Sequence, residues 1–547
     1  MTGSPLAMPI RVMQRWKQRM SGVELSILFV LTAIALGMLP DRSAVTTLVP
    51  VLPSHPVFPL WKDFGLTFVH FFLSIGVVVT ASMMLAGAAS QWPRFRQILV
   101  PGLSVGRAIP GLGLIGLLAP FCSPVVTIML VGASSMIWRV TTAILDAEDS
   151  LPAELEAVSL SLRMTGWQRF WRLLMPLAVP MSAYRAAQAI PGLWVRILSA
   201  EGLLMLLTHH DVGGCGTLAL TGMMQDRPTW VFEAAAVILL LVFAVDQGLT
   251  SPMLGWAQRY RLEGPAESGR RTYSWVLKLW RNSRLLSRLS VFLRHLVSAV
   301  GNCRIGRARR FRPVMTVEPV QWPILPWFSA ALLVVVLFFR HALPTLPFDL
   351  LESVLTLSHV CGALLISILL WVPLGVALGE LSPQERHHVR TAIMPCSVFP
   401  AVLLYPVCRL LHLDAAAVLL FLGAHWLVGL AVLDGVEGIP SGLRQVARGL
   451  RLRGSLLWRR LLLPAIAPDL CGGLLMAAVP VWNAVMVAEA FVPSDSGLGA
   501  TLLSEAMLGQ VHAQIVALML LTLLSMLLDR LVLQPLAVHA AQKYAIP

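Results

Sequence analysis

Charge is what this chain has least of. Of its 547 residues, 13% are Asp, Glu, Lys or Arg and 57% are apolar. About a quarter of an ordinary soluble domain is charged, so a solvated globule is excluded and an integral membrane protein is indicated. Acids are scarcer than bases, 28 against 42, which leaves a net charge of +14. Seven cysteines, an odd number scattered mostly through apolar runs, provide no disulfide framework. Cys122 and Cys215 both fall towards one surface, which does not suffice to assign a bond. No Gly-x-x-x-x-Gly-Lys-Ser/Thr stretch occurs, so the chain does not cradle nucleotide phosphates by that device. No His-Glu-x-x-His zinc-binding helix signature is present, which argues against an embedded metallohydrolase.

What is abundant is apolar sequence in runs of spanning length. A helix needs about 20 such residues to cross a bilayer. Twelve runs qualify: Glu24 to Leu39, Phe64 to Ala89, Ile98 to Phe121, Val125 to Leu145, Leu177 to Leu207, Trp230 to Met253, Ile324 to Ala342, Leu351 to Gly379, Ala392 to Leu411, Ala415 to Leu433, Ile466 to Val492 and Val511 to Leu536. The cations cluster at Arg11 to Arg19, Arg94 to Arg96, Arg163 to Arg172, Arg259 to Arg312, Arg386 to Arg390 and Arg444 to Arg460. With a cytoplasmic N-terminus and twelve spans, every cluster falls on the cytoplasmic side, as does the C-terminus. The positive charge therefore reports topology, and no nucleic-acid partner is expected. The first run, preceded by a basic stretch, is similar to a secretory signal. Its removal would leave eleven spans and break the symmetry described next, so it is read as a retained span.

The chain repeats itself. Aligning Trp138 to Glu201 with Trp426 to Glu489 without a gap gives 20 identities in 64 positions. They include Trp138/Trp426, Pro152/Pro440, Arg163/Arg451, Pro176/Pro464, Trp194/Trp482 and Glu201/Glu489, and the match resumes at Asp246/Asp529 and Pro252/Pro535. Upstream, Thr67/Thr356 and His70/His359 also pair. Each half holds six spans, an even number, so the halves insert in the same orientation as parallel repeats. The expected organisation is an all-α membrane protein with an N-terminal segment 1–20, a first repeat 21–254, a basic join 255–322 and a second repeat 323–547. In the join, Trp275 to Val297 interleaves aromatic and aliphatic residues with Lys and Arg. That pattern suits a basic amphipathic helix on the inner leaflet, with membrane lipid as its partner, and equally a plain tether.

Between spans 4 and 5 the chain leaves the membrane for "LPAELEAVSLSLRMTGWQRFWRLLMPLAVP". Pro152 suits a helix start, and Leu155, Val158 and Leu162 form an apolar stripe beside Glu154 and Glu156. Gly166 permits a turn before a second segment carrying Arg172. The copy presents Pro440, Leu443, Arg444, Gln445, Val446, Leu450, Arg451, Gly454 and Arg460. This pattern, ending in Leu-Leu-x-Pro-x-x-x-Pro, resembles the signature loop of the membrane subunits of binding-protein-dependent ABC importers of the nitrate, sulfonate and taurine type. "WNAVMVAEAFVPSDSGLGATL", Trp482 to Leu502, is similar to the same family. The chain as a whole resembles its duplicated, fused permeases.

That resemblance implies a type I importer fold with no catalytic residue and no cofactor of its own. It further implies two copies of a soluble ATPase, which would hold the ATP and Mg, docked on the two loops as coupling helices. A periplasmic solute-binding protein, a small anion such as nitrate or sulfonate as cargo, and the bacterial inner membrane complete the expectation. The chain departs from the family's pattern twice in each copy. Ala157-Val158-Ser159 and Gln445-Val446-Ala447 stand where the family has Glu-Ala-Ala, and Arg163 and Arg451 stand where it has Gly.

Charges inside spans rank as functional candidates. Trp194 and Glu201 lie about 20° off a common helix face, and Trp482 and Glu489 repeat the arrangement, with Asn483 alongside. Glu201 suits either an outer gate or solvation at the interface. Arg107 and Arg196 suit an asymmetric anion site, snorkelling, or pairing with an acid. Pro191 and Pro480 break spans 5 and 11, freeing carbonyls. "THHDVGGCG" invites a metal reading, but it meets no established spacing, so a polar loop and no metal is expected. An ATP-independent secondary transporter of twelve spans remains the alternative function.

Overall fold

The computed structural model describes residues 60–208, 212–225, 227–257, 346–379, 425–452, 454–491 and 497–544, with isolated positions between them. These residues are helical apart from short turns and connections, with no strand element among them. In the first repeat α1 is Leu60–Gln91, α2 Pro93–Ala108, α3 Ile115–Leu118, α4 Pro124–Asp149, α5 Ala153–Ser161 and α6 Gly166–Arg169. Then follow α7 Met175–Thr208, α8 Cys215–Met224, α9 Pro228–Val245 and α10 Ser251–Ala257. In the second, α11 is Leu346–Gly379, α12 His425–Glu437, α13 Ser441–Gly449, α14 Gly454–Leu457 and α15 Leu463–Phe491, followed by α16 Leu498–Met507, α17 Val511–Leu527 and α18 Gln534–Tyr544.

Seven described helices are long and apolar enough to cross a membrane, or up to nine if each of two sharply bent helix pairs counts as one span. The expected runs at Phe64, Val125, Leu177, Trp230, Leu351, Ile466 and Val511 coincide with the seven. Those at Glu24, Ile324 and Ala392, the first part of the run at Ala415, and nearly all of the basic join lie outside the described residues. In the first repeat α4 packs between α1 and α7, and Phe71, Ile128, Leu193 and Ile197 from those three helices are fully buried.

One expected span is not straight. Ile98 to Phe121 divides into α2 and a short segment, Gly111–Leu118, bent by 96° to it. Ile109 is extended at φ −67, ψ 120, as a residue before proline must be, and Pro110 has no N–H with which to continue the helix. The bent segment lies against the second repeat at α15, α16 and α17. Glycine permits that approach: a Cβ on Gly113 would sit 2.6 Å from Leu518 Cδ1, and one on Gly116 2.5 Å from Gln514 Oε1.

Among the described residues four π-turns, Phe170–Leu174, Asp246–Thr250, Trp458–Leu462 and Leu528–Leu533, occur at matched places in the two repeats. Each ends two residues before a proline: Pro176, Pro252, Pro464 or Pro535. A proline ring clashes with the carbonyl four residues back and offers it no N–H. Widening the preceding turn relieves the clash, and i to i−5 bonds such as Met175 N to Phe170 O and Leu463 N to Trp458 O replace the lost ladder. The repeated prolines of the sequence are therefore repeated bends at the ends of spans.

Candidate functional site

The two polar loops adopt the same shape. Pro152 and Pro440 cap α5 and α13, which are nine residues each. Both helices close with the same bonds: Met164 N to Ser159 O and Arg163 N to Leu160 O in the first, Leu452 N to Ala447 O and Arg451 N to Arg448 O in the second. This closure requires a left-handed residue at the turn. Arg163 (φ 47) and Arg451 (φ 50) occupy it, the two non-glycine residues with positive φ among those described. A glycine is unstrained there, which explains physically why glycine suits this position. Arg163→Gly and Arg451→Gly are therefore expected to tighten the turn, stabilising it by roughly 0.5–1 kcal/mol after the greater chain entropy of glycine is offset. The amides of Met164 and Leu452 should exchange hydrogen more slowly; faster exchange would refute this account of the turn.

The apolar stripe of each loop faces outwards. Leu155, Val158 and Leu162 are 41%, 50% and 61% exposed; Leu443, Val446 and Leu450 are 39%, 57% and 68% exposed. Three large aliphatic side chains on and just after one short helix, exposed at matched positions in both copies, form a surface without a partner among the described residues. Glu154 and Gln445 are exposed on the same helices. Glu156 is bound at 2.9 Å by Arg169, whose Nη1 also reaches Glu148 at 2.7 Å, so α5 is tied to α4 through a buried arginine. In the copy, Arg444 stands at the position of Glu156 and donates at 2.6 Å to the Val436 carbonyl of α12. Thr165 caps α6 in a capping box with Gln168, immediately before Gly166. Arg172 donates to Asn302 Oδ1, Gly454 begins α14, and Arg460 is exposed in the π-turn after it.

At the far end of α7, about 40 Å from its first residue, lies a second repeated arrangement. Glu201 is fully buried, hydrogen-bonded to His70 Nδ1 at 2.8 Å, with the Thr67 hydroxyl donating to it at 3.1 Å and the Gly216 N–H at 2.9 Å. Thr67 in turn accepts from Cys215 N at 2.8 Å, and Asp63 accepts from Gly214 N at 3.0 Å. The second repeat reproduces each bond. Glu489 takes His359 at 2.8 Å, Thr356 at 3.0 Å and Gly499 N at 2.9 Å, Leu498 N donates to Thr356, and Gly497 N donates to Glu352. Each glutamate thus clamps the first helix, the end of its own helix and the glycine turn into one unit. His70, Thr67, Asp63 and their copies are the participants that sequence reasoning left off its site; the signal available was their recurrence 289 positions on.

The remaining candidates scatter. Trp194 is buried and stacks on Phe71 with centroids 4.3 Å apart; Trp482 is equally buried. Asn483 Nδ2 donates to Val479 O of its own helix. Arg196 is buried inside the first repeat and donates from Nε to Gly132 O at 3.1 Å. Arg107, by contrast, approaches Asp529 of the second repeat at 3.6 Å. A second cross-seam contact was not foreseen. Arg139 donates at 3.4 Å to the Met476 carbonyl, which Pro480, four residues on, leaves without a helix donor. At the position matching Arg139 the second repeat has Leu427, so this contact is one-sided. Cys122 and Cys215 are both free thiols. His209, His210 and Asp211 lie outside the described residues, among which no metal-binding cluster occurs.

With this geometry in hand, comparison with known proteins becomes informative. No solved structure matches the chain. A candidate ABC transporter permease of Methanocaldococcus jannaschii is 24% identical over 190 residues, 33% of this chain and 68% of that protein. The bicarbonate transport system permease protein CmpB of Synechococcus elongatus is 25% identical over 186 residues, 33% of this chain and 66% of its own length. The osmoprotectant import permease protein OsmW of Salmonella typhimurium is 26% identical over 194 residues, 33% and 86% respectively. The chain thus spans about two thirds of the first two of these relatives. Residues 59–247, which hold α5 and the Glu201 clamp, match the family described as the inner membrane component of binding-protein-dependent transport systems.

Proposed function

We propose that the chain is the membrane-spanning subunit of an ATP-driven importer in which one fused chain of twelve spans replaces a pair of permeases. The observation that carries this reading is the matched pair of helices, α5 and α13, each held to its own span with its apolar stripe exposed. They act as coupling helices for two soluble ATPase subunits, which hold the ATP and Mg. The ends bearing them, with both termini, lie in the cytoplasm, where the basic clusters belong. A solute-binding protein delivers cargo at the opposite face, beside the clamps of Glu201 and Glu489. Nucleotide-driven closure then tilts the repeats between two states, a bistable pair biased by ATP.

A small anion is the cargo class this reading favours. The likeness to nitrate and sulfonate permeases supports it, as does the similarity to a bicarbonate permease, although an osmoprotectant permease is similar to the same degree. The test is co-purification of the full chain with its ATPase before and after Leu155→Asp combined with Leu443→Asp. A charge at the centre of each apolar stripe should abolish association, a fall of at least about 100-fold for two desolvated contacts. Retained association, or uptake that proceeds without any ATPase, overturns the reading.

A further inference from the structure

The two coupling helices share a backbone and an apolar stripe and differ in what surrounds it. In the first loop, 152–172, two glutamates face three arginines; in the second, 440–460, six arginines face no acid. The difference falls at matched positions. Glu154 becomes Gly442, Glu156 becomes Arg444 and Leu160 becomes Arg448. Arg448 is exposed on α13 where α5 has the half-buried Leu160, and α5 presents Glu154 beside Leu155 where α13 has Gly442; Arg451 is exposed too, but is matched by the equally exposed Arg163. The means of anchoring diverged with the charge. Glu156 is held by Arg169, which has Leu457 at its matching position, while Arg444 uses the Val436 carbonyl.

Charges at the edge of a docked apolar contact lie within a Debye length, about 8 Å, of the partner and are partly desolvated, so they discriminate between partners. A cleft whose rim is acidic complements α13 and meets Glu154 of α5 with like charge. A cleft suited to α5, which has Leu160 at the matching position, lacks the acid that Arg448 would pair with. Resting on the importer reading above, we infer that the chain is driven by a pair of unlike ATPase subunits, the one at α13 carrying an acidic rim and the one at α5 a neutral or basic rim.

The full chain is purified from its native membranes with a photoreactive benzoylphenylalanine at either Val158 or Val446, irradiated, and each adduct is identified by peptide sequencing. The expected result is two different chains, each carrying a Gly-x-x-x-x-Gly-Lys-Ser/Thr stretch, one from each position. Combining Gln445→Glu with Arg448→Glu, two exposed positions, should lower the Val446 adduct at least tenfold and leave the Val158 adduct unchanged, while Arg448→Lys preserves both. The same ATPase chain at both positions overturns the inference and leaves the importer reading standing. So does a Val446 adduct indifferent to the charge change, which would place the arginines against lipid headgroups. The absence of an ATPase adduct at either position overturns the importer reading itself.

Discussion

Glu201→Ala is expected to destabilise the first repeat by about 3–5 kcal/mol, the cost of removing one member of a fully buried hydrogen-bonded pair and leaving the others unmet. Thr67 and the Gly216 amide direct donors at the carboxylate, His70 Nδ1 is hydrogen-bonded to it, and His70 is 2% exposed, so water does not replace the lost partner. Glu489→Ala should cost less, about 2–4 kcal/mol, because His359 is 35% exposed and recovers part of its bonding from solvent. Glu201→Gln keeps the shape but turns one oxygen into a donor facing donors, and should fall between wild type and alanine. Unfolding in detergent micelles ranks the three. Equal effects of Glu201→Ala and Glu489→Ala, or losses under about 0.5 kcal/mol, the range of ordinary surface changes, would refute the clamp. Within the proposed importer the same variants should also loosen the glycine turn, read as faster amide exchange at Gly216 and Gly499.

Gly214→Ala and Gly497→Ala should be comparably damaging, by two independent routes. Gly214 lies at φ 117, ψ 165 and Gly497 at φ 110, ψ 157, a region essentially closed to residues with a Cβ and costing about 1–3 kcal/mol. Space is also lacking: a Cβ on Gly214 would stand 2.5 Å from the Glu201 carboxyl carbon, and one on Gly497 would collide with the Glu489 carboxylate. Overpacking adds about 1–3 kcal/mol, so a total of roughly 2–5 kcal/mol is expected at each site. Gly76→Ala is the control. It lies inside α1 with nothing within 4 Å of the new methyl, and should be neutral or stabilising by up to about 1 kcal/mol. Thermal unfolding in micelles decides the matter; a Gly214→Ala protein as stable as Gly76→Ala would mean that the turn yields without strain.

The spans were legible because burying a backbone in lipid demands long apolar runs, and composition alone reports them: Phe64 to Ala89 became α1, and Val125 to Leu145 became α4. The bend in span 3 was not legible because Ile98 to Phe121 is predominantly apolar, and hydropathy does not register the extended Ile109 or the proline after it. The exposed stripes of α5 and α13 were visible as helical spacing between paired prolines, and the repeat made the pattern specific. Trp194 illustrates the opposite case. Its place on the helix face of Glu201 made it a functional candidate, whereas it stacks on Phe71 inside the first repeat. Helical phase says which residues share a side; it does not say whether that side meets water or another helix.

By itself the sequence determined that this is an all-helical membrane chain built of two similar parts, each with an amphipathic loop at one end, because hydrophobic length, proline placement and repetition are one-dimensional quantities. The tertiary structure alone decided that Glu201 closes on His70 across 131 intervening steps of chain, that Arg139 satisfies the carbonyl orphaned by Pro480, and that Arg163 turns left-handed at the end of α5. Each of these depends on which donor meets which acceptor once helices distant in sequence are packed, and no local pattern carries that information.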